Sequence, residues 1–200
     1  MQGITGVVNY GVAGNTHSIK KAIEAAGGAV KILDSVYDFV QVDRIVIPGV
    51  GSFKDAMKEL ANDGFIEAIQ TALAEKPVLG ICLGMQILAT FGFEYGETQG
   101  LGVISAEVKP MQVNAVVPHM GFNNLDVVSS NPVLTGLESE EFYFMHSYEM
   151  VNYTDVAALT DYAGHRFVSA IRRDNVYGVQ FHPEKSREAG IQLFRNFLAL

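Results

Sequence analysis

Residues 77–84 read Pro-Val-Leu-Gly-Ile-Cys-Leu-Gly: an apolar run that ends on a cysteine set between two glycines. An uninterrupted apolar run, without polar alternation, is expected of a strand covered on both faces of its sheet. Residues 85–91 follow with the pattern of a short helix. The same strand-then-helix order recurs on the N-terminal side. Residues 3–9 form a strand pattern, and Gly11 and Gly14 make a turn after it. Ile19, Ala22, Ile23 and Ala26 then recur at helical spacing until Gly27-Gly28 stops them. Residues 29–33 and 44–47 are further strands. Phe53, Ala56, Met57 and Leu60 mark a helix, and residues 65–73 mark another. This alternation predicts an α/β protein with a doubly wound, mostly parallel sheet and helices on both faces.

Beyond residue 100 the pattern changes. Residues 103–108, 113–117, 141–151, 156–160, 166–172 and 176–181 read as strands with few helices between them, so additional antiparallel strands are expected there. A helix over 186–198 closes the chain. No repeat or linker interrupts it, and 200 residues suit one domain, taken as 1–200.

Composition excludes several function classes. Hydrophobic residues make up 48% of the chain, enough for a globular core and too many for a disordered one. The net charge of −8 repels a phosphate backbone, and the basic pairs Lys20-Lys21 and Arg172-Arg173 are isolated, so nucleic acid is not an expected partner. No apolar run reaches the ~18 residues of a membrane span. The start of the chain lacks the basic residue that precedes a signal-peptide core. One cysteine forbids an internal disulfide. The expectation is a soluble cytoplasmic protein. No residue cluster has metal-ligand spacing, and no cofactor is expected.

Gly80-Ile81-Cys82-Leu83-Gly84 has the layout of a nucleophile elbow with Cys in the place of Ser. Glycines two before and two after the cysteine relieve crowding at so sharp a turn. The following helix would aim its N–H groups at the sulfur and favour thiolate. The plainer alternative is a buried Cys acting as a small hydrophobe. A cysteine nucleophile needs a base. His182, in Gly178-Val179-Gln180-Phe181-His182-Pro183-Glu184, ends an apolar strand, where α/β sheets place their sites. Glu184, two residues on, would point to the same side in extended backbone and could hold the imidazole tautomer. A surface histidine is the alternative. His17 and His165 read as ordinary surface residues. Pro48-Gly49-Val50-Gly51-Ser52 stands between a strand and a helix, and its backbone could supply half of an oxyanion hole, with the Leu83 N–H as the other half. A phosphate cradle fits less well, because no Gly-Lys-Ser/Thr follows, and a tight turn is the remaining reading.

These residues resemble the class I (triad) glutamine amidotransferases, and within them the glutaminase subunits of imidazole glycerol phosphate synthase. The resemblance runs nearly end to end: PGVGSFKDAM at 48–57, KPVLGICLGMQIL at 76–88, GETQGLGVI at 96–104, VPHMGFNNL at 117–125, FYFMHSY at 142–148 and GVQFHPEKS at 178–186. It implies that Cys82 forms a glutamyl thioester with glutamine, His182 shuttles the proton and Glu184 orients it. It further implies that Gln86, Ser147 and Tyr148 line the glutamine pocket, and that Gly49, Val50, Gly51 and Leu83 supply the anion hole. His119, Phe122 and Asn123 would face a (β/α)8-barrel cyclase partner near the ammonia exit, in histidine biosynthesis. Two regions depart from the family pattern. The first loop reads Asn9-Tyr10-Gly11-Val12-Ala13-Gly14-Asn15 where the family has Asp-Tyr-Gly-x-Gly-Asn, and Phe122 stands where Trp is common. An ammonia-donating subunit for another acceptor, such as a surface-sugar enzyme, is the alternative, and a stand-alone cysteine hydrolase is a further one.

Overall fold

The computed structural model describes residues 3–11, 15–62 and 64–200. The first half alternates as the sequence predicts. β1 (Ile4–Val8), α1 (Thr16–Ala25), β2 (Ala29–Leu33), β3 (Arg44–Ile47), α2 (Phe53–Asn62), α3 (Phe65–Glu75), β4 (Val78–Ile81) and α4 (Leu83–Gln86) follow in order. α1 buries Ile19 and Ile23 and ends where Gly27 takes φ +94°, with Gly28 N–H closing on the Ile23 carbonyl. α2 buries Phe53, Ala56, Met57 and Leu60, the four positions marked by its spacing, and the Ser52 hydroxyl caps it by accepting from Asp55 N–H. Of the turn expected at Gly11 and Gly14, Gly11 has φ +55° and Gly14 lies outside the described residues.

The second half contains β5 (Ala89–Gly92), β6 (Thr98–Gln99), β7 (Ile104–Pro110), β8 (His119–Asn124), β9 (Asp126–Val127), β10 (Glu141–His146), β11 (Tyr148–Val151), β12 (Val156–Tyr162), β13 (His165–Arg173), β14 (Val176–Val179) and α5 (Arg187–Leu198). The main sheet has eight strands in the order β2-β1-β3-β4-β14-β13-β12-β9. From β2 to β14 the pairings are parallel, and from β14 to β9 they are antiparallel. Both faces are covered. Val7, Val46, Leu79 and Ile81 pack with α1 and α5, while Val8, Ile45, Ile47 and Val78 pack with α2 and α3. That double burial is why the strands read as continuous apolar runs.

Three expectations are corrected. The helix expected over 85–91 stops after Gln86, and residues 89–92 are a strand. The Ile87 and Leu88 carbonyls accept from Leu101, Val103 and Ile104, so pairing with a remote segment overrides local helical spacing. Gly100 permits that approach, since a Cβ there would lie 2.2 Å from the Ala89 carbonyl oxygen. The strand expected over 113–117 is irregular, with Val116 and Val117 exposed. The regular strand begins two residues later as β8, which pairs with β10. The strand expected over 141–151 breaks at Ser147: β10 stays with β8, whereas β11 joins a separate sheet of order β11-β7-β5-β6. Among the described residues no helix is long and apolar enough to cross a membrane.

The chain ascends β1, moves outward to β2, then returns to β3 on the other side of β1. Outside the carboxyl ends of such strands a crevice forms. Tyr10 follows β1, Pro48-Gly49 follows β3, Cys82 follows β4 and His182 follows β14, so four separate segments meet at one edge. The meeting is tight at Gly84, where a Cβ would lie 1.9 Å from the Ile47 carbonyl oxygen. Gly84→Ala is therefore expected to destabilise the protein by about 2 kcal/mol or more, as overpacking against backbone does. A denaturant melt that leaves the midpoint unchanged would refute this account of the turn.

Candidate active site

Cys82 sits at the end of β4 with φ +54° and ψ −111°, a left-handed backbone position that a side chain rarely adopts. The strain is held by the frame around it. Cys82 N–H donates to the Val179 carbonyl at 2.8 Å, and the Cys82 carbonyl accepts from Met85 and Gln86 N–H at 3.0 and 3.1 Å. A Cβ on Gly80 would meet the Gly84 carbonyl oxygen at 2.6 Å, which explains the first glycine as Ile47 explains the second. The sharp strand-to-helix turn is therefore as expected, but the helix behind it is a single turn. It contributes Gln86 to the cleft wall and the Leu83 N–H, which donates to no protein acceptor among the described residues.

His182 is 1% exposed. Its N–H donates to the Tyr143 carbonyl at 2.8 Å, and its carbonyl accepts from the Ser186 hydroxyl at 2.6 Å. The same hydroxyl oxygen accepts from Tyr143 N–H at 2.9 Å, so Ser186 ties β10 to the segment carrying the histidine. Nδ1 lies 2.8 Å from Glu184 Oε1. Glu184 reaches back through a tight 3-10 turn, Pro183–Lys185, rather than through extended backbone. α5 packs directly on that turn at Gly190, where a Cβ would lie 1.7 Å from the Pro183 carbonyl oxygen. The Glu184 side chain is fully buried, and Asn15 Nδ2 donates to the same Oε1. Asn15 occupies the N-cap of α1, but its amide is diverted to this carboxylate instead of the helix. Burial works against the imidazolium, yet Cys82 and Glu184 outweigh it and raise the His182 pKa from 6.5 to about 10. Nε2 has no hydrogen-bond partner of ordinary geometry, so the nitrogen opposite Glu184 is open to a reacting group.

Cys82 and His182 line a cleft of about 270 Å³. Val50, Gly51, Leu83, Gln86, Ser147 and Tyr148 also line it. Gly49 is not on its wall. A Cβ there would meet Leu83 Cβ at 2.6 Å and Gly84 N at 2.7 Å, so Gly49 is where the loop packs on the Cys82 turn. The Tyr10 hydroxyl donates to the Pro48 carbonyl from a fully buried position, and burial and Cys82 both raise its pKa. Gln86 Nε2 donates to the Tyr148 carbonyl at 3.1 Å and to Gln180 Oε1 at 2.9 Å, and Gln180 Nε2 approaches Cys82 Sγ at 3.6 Å.

The residues expected at a partner surface divide. Met120 and Phe122 are exposed on β8, with the Arg187 guanidinium 4.5 Å from the Phe122 ring centroid. Asn123 is half-buried. His119 is 3% exposed and turned inward, so it does not face outward as expected. Its ring stacks on Tyr162 at 4.1 Å and on Phe144 at 4.9 Å, an aromatic pocket that favours the uncharged ring and lowers its pKa by burial. His119 Nδ1 lies 3.3 Å from Nε2 of His146, which lines the cleft. Burial holds the His146 pKa down at about 4. His165, expected as a free surface residue, instead pairs with both oxygens of the nearly buried Glu149 at 2.8 and 2.9 Å.

Glu94, Asn15, Tyr10, Ser186 and Gln180 were not singled out from the sequence. Glu94 lines the cleft and accepts from Phe53 N–H at 2.8 Å. For Gln180 a signal existed: a polar residue between Val179 and Phe181 in an otherwise apolar strand end. Among the described residues no group of three or more His, Cys, Asp or Glu is arranged to hold a metal.

The family model described as glutamine amidotransferase class-I matches residues 7–200. Imidazole glycerol phosphate synthase subunit HisH 1 of Campylobacter jejuni (strain RM1221) is 40% identical over 193 residues, covering 94% of this chain and 96% of that protein. Imidazole glycerol phosphate synthase subunit HisH of Aquifex aeolicus is 41% identical over 198 residues, covering 96% and 95%. Among solved structures, PurLQS from Thermotoga maritima superposes with a TM-score of 0.77 at 21% identity, over all of this chain and 99% of that one, a likeness of fold. With the family model spanning all but the first six residues and relatives of this identity covering nearly the full length, the chain belongs to the class-I glutamine amidotransferases.

Proposed function

We propose that this chain is the glutaminase subunit of an imidazole glycerol phosphate synthase in histidine biosynthesis, acting as one amidotransferase domain over residues 1–200. The names of the relatives at about 40% identity over nearly the whole chain support the assignment. The single observation that carries the chemistry is the cleft shared by a strained cysteine and a buried histidine held by a buried carboxylate.

Cys82 Sγ attacks the side-chain amide carbon of glutamine. The oxyanion that forms is held by the Leu83 N–H and by backbone N–H groups of the Gly49-Val50-Gly51 loop. His182 Nε2 gives its proton to the departing nitrogen, the C–N bond breaks, and ammonia leaves behind a glutamyl thioester. Neutral His182 then takes a proton from water as the water oxygen attacks the thioester. Glutamate departs and the thiolate–imidazolium pair returns. Glu184 keeps the proton on Nδ1 throughout and stabilises the cation, and Asn15 keeps Glu184 in place. At the outer end of the cleft Glu94 offers a carboxylate to the α-ammonium of glutamine, beside Gln86, Ser147 and Tyr148. Ammonia passes to a (β/α)8-barrel cyclase docked on the face that carries Phe122 and Asn123. The exposed Val116, Val117, Met120 and Phe122 supply apolar area for that docking, with His119 lying beneath them.

Cys82→Ala is expected to lower glutamate release in the complex with the cyclase by at least 10³-fold, the order of loss when a covalent nucleophile is removed. Undiminished release would refute the mechanism, and full activity of the wild type without any partner would favour a stand-alone hydrolase.

The pH dependence has a defined sign. The raised pKa means that folded His182 keeps its proton through neutral pH and loses it as the pH rises through about 10. Since the proton goes to the leaving ammonia, kcat/KM should hold through neutral pH and fall on the alkaline side near that value. Glu184→Gln removes one of the groups that raise the pKa, so its alkaline limb should move toward neutrality. Coincident limbs in the two enzymes would refute the role of Glu184.

A further inference from the structure

We propose that the side-chain amide of Gln180 seats the Cys82 sulfur, donating a hydrogen bond to the thiolate. The inference rests on the reading of Cys82 as the nucleophile and deepens it: Gln180 is a positioning residue for that reaction.

Gln180 is fully buried one residue beyond β14. A buried primary amide is costly unless its polar atoms are bonded, so its presence between Val179 and Phe181 calls for partners. It has them at both ends. Oε1 accepts from Gln86 Nε2 at 2.9 Å, and Nε2 approaches Cys82 Sγ at 3.6 Å, a normal separation for a donor against the large sulfur atom. The backbone beneath is pinned by Gln180 N–H donating to the Ser169 carbonyl at 2.9 Å.

The direction of this chain of bonds is settled by its far end. The Tyr148 carbonyl can only accept, so the Gln86 atom facing it at 3.1 Å is the NH2 group. That NH2 has a second hydrogen, and it faces Gln180, so the Gln180 atom it meets is the carbonyl oxygen. The NH2 of Gln180 is left facing the sulfur. A donor aimed at sulfur strengthens when the sulfur is an anion and weakens when it is a thiol, so it favours the nucleophilic form. It also restrains the sulfur without offering a proton that the amide could lose. The role of proton carrier thus stays with His182, which keeps the proton available for the leaving ammonia.

The chain has one cysteine, so alkylation by iodoacetamide reports Cys82 alone. The rate of alkylation against pH is measured for the full-length wild type, Gln180→Glu and Gln180→Met, with far-UV circular dichroism to establish folding. Both substitutions remove the donor, and Gln180→Glu keeps an acceptor for Gln86. On the acid side of the profile the alkylation rate at a given pH should be about tenfold lower in each, the loss of thiolate that follows loss of the donor. In Gln180→Glu with the cyclase present, kcat for glutamate release should fall about tenfold or more while KM stays within about threefold. An acid limb unchanged from wild type in either folded variant overturns the proposal. If neither variant folds, the side-chain NH2 resonances of Gln180 in the wild type decide it: they must titrate together with Cys82, and resonances that ignore the thiol overturn it. Failure of the underlying reading looks different. A wild-type chain that a glutamine-mimicking electrophile does not label at Cys82 overturns the nucleophile itself, whereas a labelled wild type with unmoved Gln180 variants overturns only the seat.

Discussion

The left-handed backbone of Cys82 is the constraint on which the site depends. A residue at φ +54° costs of order 1–3 kcal/mol and persists only where surroundings over-determine it. Here they do so from three directions. β14 holds the Cys82 N–H, the first turn of α4 holds its carbonyl, and the end of β3 presses on the turn closely enough that no side chain fits at Gly84. The strain lifts the sulfur above the sheet edge. The pressing of β3 brings the Gly49-Val50-Gly51 loop beside it. One local conformation thus places both the candidate nucleophile and its candidate anion hole, and Gly49 serves the packing side of that junction rather than the cleft wall.

A second constraint is the charge on His182. An imidazolium with 1% exposure would lose its proton if burial acted alone. The fold sets Cys82 and Glu184 beside the ring, and both raise the His182 pKa. Glu184 is itself buried, so its own charge needs donors: His182 Nδ1 and Asn15 Nδ2 both meet Oε1, while Oε2 has no partner among the described residues. Asn15 comes from the start of α1 and Glu184 from the turn before α5, helices that pack on the same face of the sheet. Packing of the two helices is therefore also what completes the electrostatics of the histidine.

How much of this was legible in the sequence follows from the range of each determinant. The Cys82 turn is local: seven consecutive residues, 78–84, contain both glycines and the strand that delivers them. The doubly wound half was legible because burial on both faces leaves continuous apolar runs. His182 and Glu184 were legible as a neighbouring pair, though the turn joining them is tight rather than extended. The rest depends on distant pairing. Residues 85–91 satisfy a helical spacing, but Ile87 and Leu88 pair with a segment near residue 100 that no local pattern reveals. Asn15 meets a carboxylate 169 residues away, and its capping position gave no sign of that use. His119 is expected at a partner face, and its burial was not legible because its aromatic pocket is assembled from Tyr162, Phe144 and Phe167, all from other strands.

That aromatic pocket also settles how the exposed strand β8 is joined to the cleft. The Tyr148 carbonyl only accepts, so His146 carries its proton on Nδ1, 2.9 Å away. Burial keeps His146 neutral, which leaves Nε2 as an acceptor and makes His119 Nδ1 the donor. His119 is in turn kept neutral by burial, so its Nε2 accepts from Asn123 Nδ2 at 3.4 Å, and that amide also donates to the Asp161 carbonyl at 2.8 Å. Every proton in the series is assigned, and the series runs from the β8 surface to the carbonyl that also anchors Gln86. A shift of β8 relative to β10 would strand a buried donor or acceptor at His119 or His146, at a cost of about 1–3 kcal/mol. The wall of the cleft and the strand carrying Phe122 are therefore joined by one buried, fully assigned hydrogen-bond series.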